Sequence, residues 1–361
     1  MKRTGIARAL AALSAVAIFA GACSSAATPA PSAGASPSAA GGASYKIGVS
    51  NTLQGNGWRE EMICSIKAEA LSSGRVSSLT IDHRTTDAAG QLSDIRDLIA
   101  KGVNAIIVNP ASPDAVNAAL KEAIDKGIVV VAIDQGVTQP GAYVMSNDQV
   151  QYGYLGASWL FKQLGGKGNV IYMRGAAGAT ADNDRDTGLK KALAENPGIK
   201  VVKEVATGWD PAKGTQQIND ILSSGIAFDG IWTSGIDNVI VDALKTANHP
   251  FVPIVGADNA GFVKQLLTEK GLIGAAVTNP ASVGGAGLEL AFKVLDGNKP
   301  ADPAVHVTPV VWDNVSDAGK AALTAANDPA IDASWPLGIT IPGQTTYTKA
   351  QILACKGPGG Q

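Results

Sequence analysis

Short apolar runs alternate with amphipathic stretches along most of this chain. The runs YKIGVS, SLTID, NAIIVN, GIVVVAID and AYVMS lie between residues 45 and 146, and NVIYMRG, IKVVKEVA, GIWTSG, VPIVGAD and LIGAAVTN follow between residues 169 and 279. Between them lie stretches such as LSDIRDLIAKG, whose apolar residues fall on one face of a helix. Such an alternation makes neighbouring strands parallel and covers both faces of a sheet with helices. The sequence therefore predicts an α/β chain with two doubly wound halves.

The two halves also resemble each other directly. The segment PDAVNAALKEAIDKGIVVVAID (113–134) aligns with DNVIVDALKTANHPFVPIVGAD (237–258), and each segment ends an apolar strand on an aspartate, Asp134 or Asp258. The carboxyl ends of parallel strands are where open α/β sheets bind ligands. We therefore predict that the two aspartates meet across a cleft between the halves. The alternative is that each aspartate only caps the following helix.

The first 23 residues have the layout of an export signal. Three basic residues precede the apolar run ALAALSAVAIFAGA, and AGAC, which ends at Cys23, resembles a bacterial lipobox whose cysteine becomes lipidated. We expect an extracytoplasmic protein that is anchored to the cell membrane through a lipid on Cys23; a secreted protein and an uncleaved anchor are the alternatives. Residues 24–44 carry no charge and no large apolar side chain, so they predict a disordered tether.

The remaining two cysteines, Cys64 and Cys355, leave two possibilities open. In an exported chain, an even number of remaining cysteines is compatible with one disulfide, which would hold the C-terminal tail near the first helix. The alternative is a pair of buried free thiols.

The turn SNTLQGNGWREEM (50–62) allows two interpretations. Its GNGWRE segment begins like the G-x-G-x-x-G of a dinucleotide-binding turn, but Glu60 takes the place of the third glycine, on which close contact between helix and sheet depends. An exported dehydrogenase would also be short of its cofactor, so we predict no cofactor. The turn instead offers amide, guanidinium and indole groups: Asn51, Gln54, Asn56, Trp58 and Arg59.

This mixture of side chains suits a sugar. Amides, carboxylates and guanidinium groups form hydrogen bonds with vicinal hydroxyls, and an indole packs against the C–H face of a sugar ring. Trp209, in ATGWDPAKG, offers a second indole from the other half. A core position is the alternative for either tryptophan.

Charge and motifs argue against other classes of function. The formal net charge of −2 gives no sign of a nucleic-acid surface. The histidines His83, His249 and His306 are scattered, and the chain has no H-x-x-x-H, C-x-x-C or G-x-S-x-G spacing. We therefore expect neither a metal site nor an enzyme.

The motifs KIGVSNTLQGNGWREEM, AGQLSDIRDLIAKGVNAIIVNPASPDAV, IVVVAIDQG, AGATADNDRDTGLKKAL and VGADNAG resemble those of type I periplasmic sugar-binding proteins of ABC importers, in particular the ribose-binding-like group. The resemblance runs from about residue 46 to about residue 308. It implies two Rossmann-like lobes with parallel sheets that are joined by three hinge crossings and close on one sugar. We expect a first lobe of residues 45–147 plus about 279–307, a second lobe of 148–278 plus about 308–325, and a tail of 326–361 outside the resemblance. The crossings are expected near residues 146–148, 278 and 308.

In the first half the resemblance implies several ligand contacts. Asn51 corresponds to the polar residue that ends the first strand, and Trp58 corresponds to a ring-stacking aromatic residue. Trp58 followed by Arg59 is similar to the galactofuranose-binding branch. Asp134 matches the acid that holds ring hydroxyls, while Gln135 stands where arginine is usual, which leaves the sugar open.

In the second half the implied contacts comprise polar and aromatic residues at matching positions: Asn183 in place of a frequent arginine, Arg185, Trp209, Asp237, Asp258, and Thr278 or Asn279 as the hinge amide. Arg185 could instead form an ion pair with an aspartate of its own helix, and Asp237 could instead be a helix cap.

The resemblance also implies partners. We expect a monomer that binds a pentose or hexose, in pyranose or furanose form, and delivers it to the membrane permease subunits of an ABC importer. The membrane would be contacted only through the lipid, and nucleic acid is not an expected partner. The alternative is a signalling receptor of the same fold, which reports a sugar or a furanosyl signal molecule to a chemoreceptor or sensor kinase.

Overall fold

The computed structural model describes residues 44–355, which form two lobes, each built on a six-stranded sheet. The expected signal segment, Cys23, nearly all of the tether and the last six residues lie outside the described residues. None of the helices in this described part combines the length and apolarity needed to cross a membrane.

The sheet of the first lobe is entirely parallel. Its strands are β1 (Tyr45–Asn51), β2 (Val76–His83), β3 (Ala105–Asn109), β4 (Val129–Ile133), β5 (Tyr143–Asn147) and, much later in the chain, β11 (Ala304–Val307). They lie in the order β11-β5-β4-β3-β1-β2. This order, with β1 inside the sheet, requires the chain to wind outward in both directions, as in a doubly wound fold.

The sheet of the second lobe repeats this arrangement. Its strands are β6 (Lys167–Arg174), β7 (Gly198–Ala206), β8 (Gly230–Trp232), β9 (Ile254–Ala257), β10 (Gly274–Val277) and β12 (Val311–Asp313). They lie in the order β12-β10-β9-β8-β6-β7, and only the edge strand β12 runs antiparallel. The predicted fold class, two doubly wound α/β lobes, is confirmed.

Helices cover both faces of each sheet. The first lobe carries α1 (Gly57–Ser73), α2 (Ala88–Ala100), α3 (Asn117–Asp125) and α9 (Val283–Leu295); the second carries α4 (Gln149–Gln163), α5 (Thr180–Glu195), α6 (Pro211–Ser223), α7 (Asp237–Thr246), α8 (Ala260–Thr268) and α10 (Asp317–Ala326). Successive residues of β3 show the two layers. Ile107 packs with residues of α1 and α9, whereas Ile106 and Val108 pack with residues of α2 and α3. A strand buried on both faces therefore reads as an uninterrupted apolar run.

Side-chain caps at the carboxyl edges of the sheets determine where helices α1 and α8 begin. The Asn56 side chain accepts a hydrogen bond from Arg59 N and starts α1, and the Asn259 side chain accepts one from Phe262 N and starts α8. Both helices start within a few residues of a strand end. Side chains in their first turns are consequently held at the edge where the two lobes face each other.

Between β1 and β12 the described chain passes between the lobes three times. It crosses after β5, after β10 and between β11 and β12. The last two crossings are bonded together, because Thr278 N donates to Val310 O and Val310 N donates to Thr278 Oγ1, each at 2.9 Å.

A C-terminal tail follows α10 and touches both lobes. Its last helix, α11 (Lys349–Leu353), packs on α1, and a disulfide joins Cys355 to Cys64 in the middle of α1 with the Cα atoms 5.5 Å apart. Upstream of α11, Thr346 N donates to Glu69 Oε2 at 2.8 Å. The tail thus returns to the first lobe after leaving the second.

Candidate functional site

A cavity of about 50 Å³ lies between the lobes at the carboxyl ends of the strands. Both lobes, a hinge crossing and the tail contribute its walls: Leu53, Asn56, Trp58, Arg59, Asp134, Ala181, Arg185, Trp209, Ser234, Gly235, Ala257, Asn259, Asn279, Ser334 and Pro336. A cleft with walls from both lobes is a common place for a small-molecule site.

Trp58 and Arg59 enter the cavity from the first turn of α1. Trp58 Nε1 donates to Asn279 O in the hinge at 2.7 Å, which fixes the plane of the indole. Arg59 is 5 % exposed, and its Nη1 donates to Asn51 Oδ1 at 2.7 Å. Asn51 therefore holds the guanidinium group from behind.

Asp134 occupies an unusual backbone conformation at the end of β4. Its φ of 64° lies in the left-handed region, which few residues other than glycine adopt. Its carboxylate lies 3.7 Å from Arg59 Nη2 and accepts hydrogen bonds from Asn109 Nδ2 and Gln149 Nε2, each at 3.3 Å. Burial raises the pKa of Asp134, and the positive charges of Arg59 and Arg185 act in the opposite direction. A ligand hydroxyl would therefore meet a carboxylate with two nearby cations.

Arg185 and Trp209 form the opposite wall. The Arg185 guanidinium carbon lies 4.3 Å from the ring centre of Tyr152 and 5.8 Å from that of Trp209, and Nε donates to Gln149 Oε1 at 2.8 Å. The Gln149 amide thus connects Asp134 of one lobe with Arg185 of the other. It was not predicted as part of the site.

The position of Trp209 depends on a glycine in the neighbouring loop. A Cβ atom on Gly175 would lie 2.1 Å from Trp209 Cε2, so only glycine leaves room for the indole. Trp209 itself has a φ of 56°, and its buried Nε1 has no hydrogen-bond partner among residues 44–355.

Two further hydrogen bonds join the lobes, one of them at the cavity wall. Asn56 Nδ2 donates to Trp209 O at 3.0 Å, and Thr180 Oγ1 donates to Gly136 O at 3.4 Å. The structure is therefore a closed arrangement of the lobes.

Seven of the predicted ligand contacts lie on the cavity wall, namely Asn56, Trp58, Arg59, Asp134, Arg185, Trp209 and Asn279. Four others, from the end of β1, two loops and α5, do not. Asn51 lies behind Arg59, Gln54 is exposed, and Gln135 turns away to donate to Asn109 Oδ1. Asn183 lies on the exposed face of α5, because two residues along a helix rotate the side chain by about 200° from Arg185.

Asp237 and Asp258 are fully buried behind the wall of the second lobe. Asp237 Oδ2 accepts hydrogen bonds from Gly235 N, Ala257 N and Asn259 Nδ2 at 2.7–3.0 Å, so it positions three residues that line the cavity. Burial raises the pKa of Asp237 to about 7.

Asp258 contacts the hinge. Its Oδ1 accepts a hydrogen bond from Asn279 N at 2.9 Å, whereas Oδ2 has no hydrogen-bond partner in the described part of the chain. Burial raises the pKa of Asp258 to about 6. Thr278 is bonded to the third crossing. Direct ligand contact by Asp258 and Thr278 stays a prediction.

Several wall residues were not predicted. Leu53, Ala181, Ser234, Gly235 and Ala257 line the cavity without a distinctive side chain. For Asn259 a signal existed, since it follows Asp258 and caps α8. For Ser334 and Pro336 there was none, because they belong to the tail.

The arrangement combines flat apolar surfaces with hydrogen-bonding groups of both polarities, which suits a compact hydroxylated molecule. Within residues 44–355, no group of three or more histidine, cysteine, aspartate or glutamate side chains is placed to hold a metal ion.

The fold and the cleft together define a two-lobed solute-binding protein. More specifically, the chain belongs to the periplasmic binding protein family, since the model of the periplasmic binding protein domain matches residues 47–299. This family consists of binding proteins, whose location is extracytoplasmic.

Named relatives have similar sequences. The chain is 29% identical to the xylitol-binding protein of Mycolicibacterium smegmatis over 251 residues. This match covers 68% of this chain and 72% of the relative. It is 26% identical over 226 residues to the ribose import binding protein of Escherichia coli, with coverage of 62% and 76%.

Solved structures share the fold. An ABC transporter solute-binding protein from Thermobispora bispora is 26% identical, with a TM-score of 0.70 and coverage of 79% of this chain and 89% of that one. A solute-binding protein from Mycobacterium smegmatis with bound glycerol is 24% identical, with a TM-score of 0.71 and coverage of 80% and 98%, and supports the fold alone.

Proposed function

We propose that this protein is the substrate-binding component of an ABC importer and that it captures a monosaccharide or a related polyol between its lobes. The observation that carries the proposal is the cavity itself, in which Trp58, Arg59 and Asp134 of one lobe face Arg185 and Trp209 of the other. The family and the relatives that bind ribose and xylitol support the same class of ligand.

Binding acts through hinge closure. A ligand can shift the lobes toward the closed state only if it binds that state more tightly, and a ligand that contacts both lobes does so. The Gln149 amide, bonded to Asp134 and Arg185, makes the two sides of the site respond together. The protein releases its ligand chemically unchanged to the permease subunits and acts as a monomer.

Thermal unfolding against a panel of glycerol, xylitol, ribose, arabinose, galactose and myo-inositol tests the proposal. A ligand of the closed state raises the unfolding temperature by mass action. Asp134→Asn is expected to weaken binding of the best panel compound by about tenfold or more, since hydrogen bonds to charged groups contribute about 1.5–3 kcal/mol. The matched control is Asp97→Asn, an exposed aspartate on α2 of the same lobe. A panel without any stabilising compound would refute the proposal.

We also propose that a lipid on Cys23 anchors the protein outside the cell membrane. The AGAC sequence supports this anchor. Cys23→Ala should move the protein from the membrane fraction to the soluble fraction. An unchanged distribution would show that the lipid is not the anchor.

A further inference from the structure

A segment of the tail forms a third side of the cavity, beside the two lobes. Residues 333–337 pass the mouth of the cleft, and Ser334 and Pro336 line the cavity. Pro336 is buried, whereas Ser334 is exposed at the mouth. The segment lies beyond residues 47–299, which the family model matches.

Backbone hydrogen bonds hold this segment on the second lobe. Ala260 N donates to Trp335 O and Gly261 N donates to Ala333 O, each at 2.8 Å, and Leu337 N donates to Asp258 O at 3.0 Å. The segment therefore adds a short strand-like edge to the loop that follows β9. Apolar side chains on either side of it, Ile331 and Leu337, are buried in the core of the second lobe.

The same segment meets the first lobe at the start of α1. A Cβ atom on Gly57 would lie 2.1 Å from Ser334 Oγ, so the glycine permits the close approach of the tail. Beyond the segment, the disulfide between Cys355 and Cys64 ties the end of the tail to α1. The wall is thus fixed on both sides of the cleft.

We propose that Ser334 and Pro336 determine which compounds the cleft accepts. This inference rests on the proposed function. The Pro336 ring is rigid and apolar and suits the C–H face of a sugar or polyol. The Ser334 hydroxyl donates to Asp332 Oδ1 at 2.6 Å, so its oxygen is left to accept a hydrogen bond from a ligand hydroxyl. Ser334 thus sets the polarity of the mouth, and Pro336 sets the shape of the buried wall behind it.

Ser334→Leu tests this assignment, with Ala333→Leu as the matched control. Both residues are exposed neighbours in the same segment, but only Ser334 lines the cavity. Affinities for each panel compound are measured by titration calorimetry, and the unfolding temperature without ligand checks that both variants fold. Ser334→Leu is expected to weaken binding of the compound that the parent binds best by at least tenfold and to affect glycerol, the smallest probe, least. Ala333→Leu should stay within threefold of the parent.

A second variant acts on the buried side of the wall. Pro336→Ala enlarges the cavity and is expected to shift preference toward larger members of the panel. The inference is overturned if a panel compound binds the parent and both variants keep its affinity and order of preference. A parent that binds no panel compound would instead refute the proposed function, and this inference with it.

Discussion

Replacing Asp237 with asparagine is expected to remove a defined part of the pH dependence of stability. The Asp237 side chain is fully buried, and burial raises its pKa from 3.8 to about 7. Between these two pH values the folded chain retains a proton that the unfolded chain has released. The folded state therefore binds more protons, and the contribution of Asp237 to the free energy of unfolding falls as the pH rises through this window. The loss between pH 5 and pH 8 is about 2 to 3 kcal/mol.

Urea unfolding at pH 5 and pH 8 measures this loss in the parent, in Asp237→Asn and in Asp220→Asn, an exposed control in the same lobe. The asparagine amide places an NH₂ group or an oxygen at the position of Asp237 Oδ1, which has no hydrogen-bond partner among the described residues. The free-energy cost of burying that atom is the same at both pH values. Between pH 5 and pH 8, the free energy of unfolding of Asp237→Asn should therefore fall by about 2 to 3 kcal/mol less than that of the parent. If Asp237→Asn and the parent share one pH dependence, the buried carboxyl is not the titrating group.

Further variants test the indole wall, the disulfide and the closed state. Gly175→Ala should displace the Trp209 ring and weaken binding of the best panel compound by about tenfold or more in calorimetry. Tenfold corresponds to about 1.4 kcal/mol of binding free energy. Unchanged affinity would show that the ligand does not use the indole. Cys355→Ser should lower the free energy of unfolding by about 2–5 kcal/mol in urea titrations, and a smaller loss would show that packing alone holds the tail. Asn56→Ala removes a helix cap and a bond between the lobes, so stability should fall by about 1 kcal/mol and stopped-flow fluorescence should show faster ligand release. Release at the parent's rate would refute the role in closure.

The sequence predicted those parts of the fold and site that local patterns control. The alternation of apolar runs with amphipathic stretches predicted both sheets, because every residue of a strand that is covered on two faces is buried and tends to be apolar. The polar turn after β1 could also be recognised from a local pattern, because Asn56, Trp58 and Arg59 lie close together in the sequence, within one helical turn. Ser334 and Pro336 could not be found this way. They reach the cavity only because the tail folds back onto residues more than 70 positions away along the chain.

The paired aspartates of the internal repeat show how equivalent positions can acquire different roles. Asp134 and Asp258 both end a strand, yet only Asp134 has a positive φ, and it is Asp134 that lines the cavity. Asp258 instead accepts a hydrogen bond from Asn279 N, because the strand next to β9 leads directly into a hinge crossing. The first lobe thus places its aspartate on the cavity wall, and the second lobe bonds its aspartate to the hinge. Removal of the Asp258 carboxylate should accordingly alter the rate of closure more than the choice of ligand.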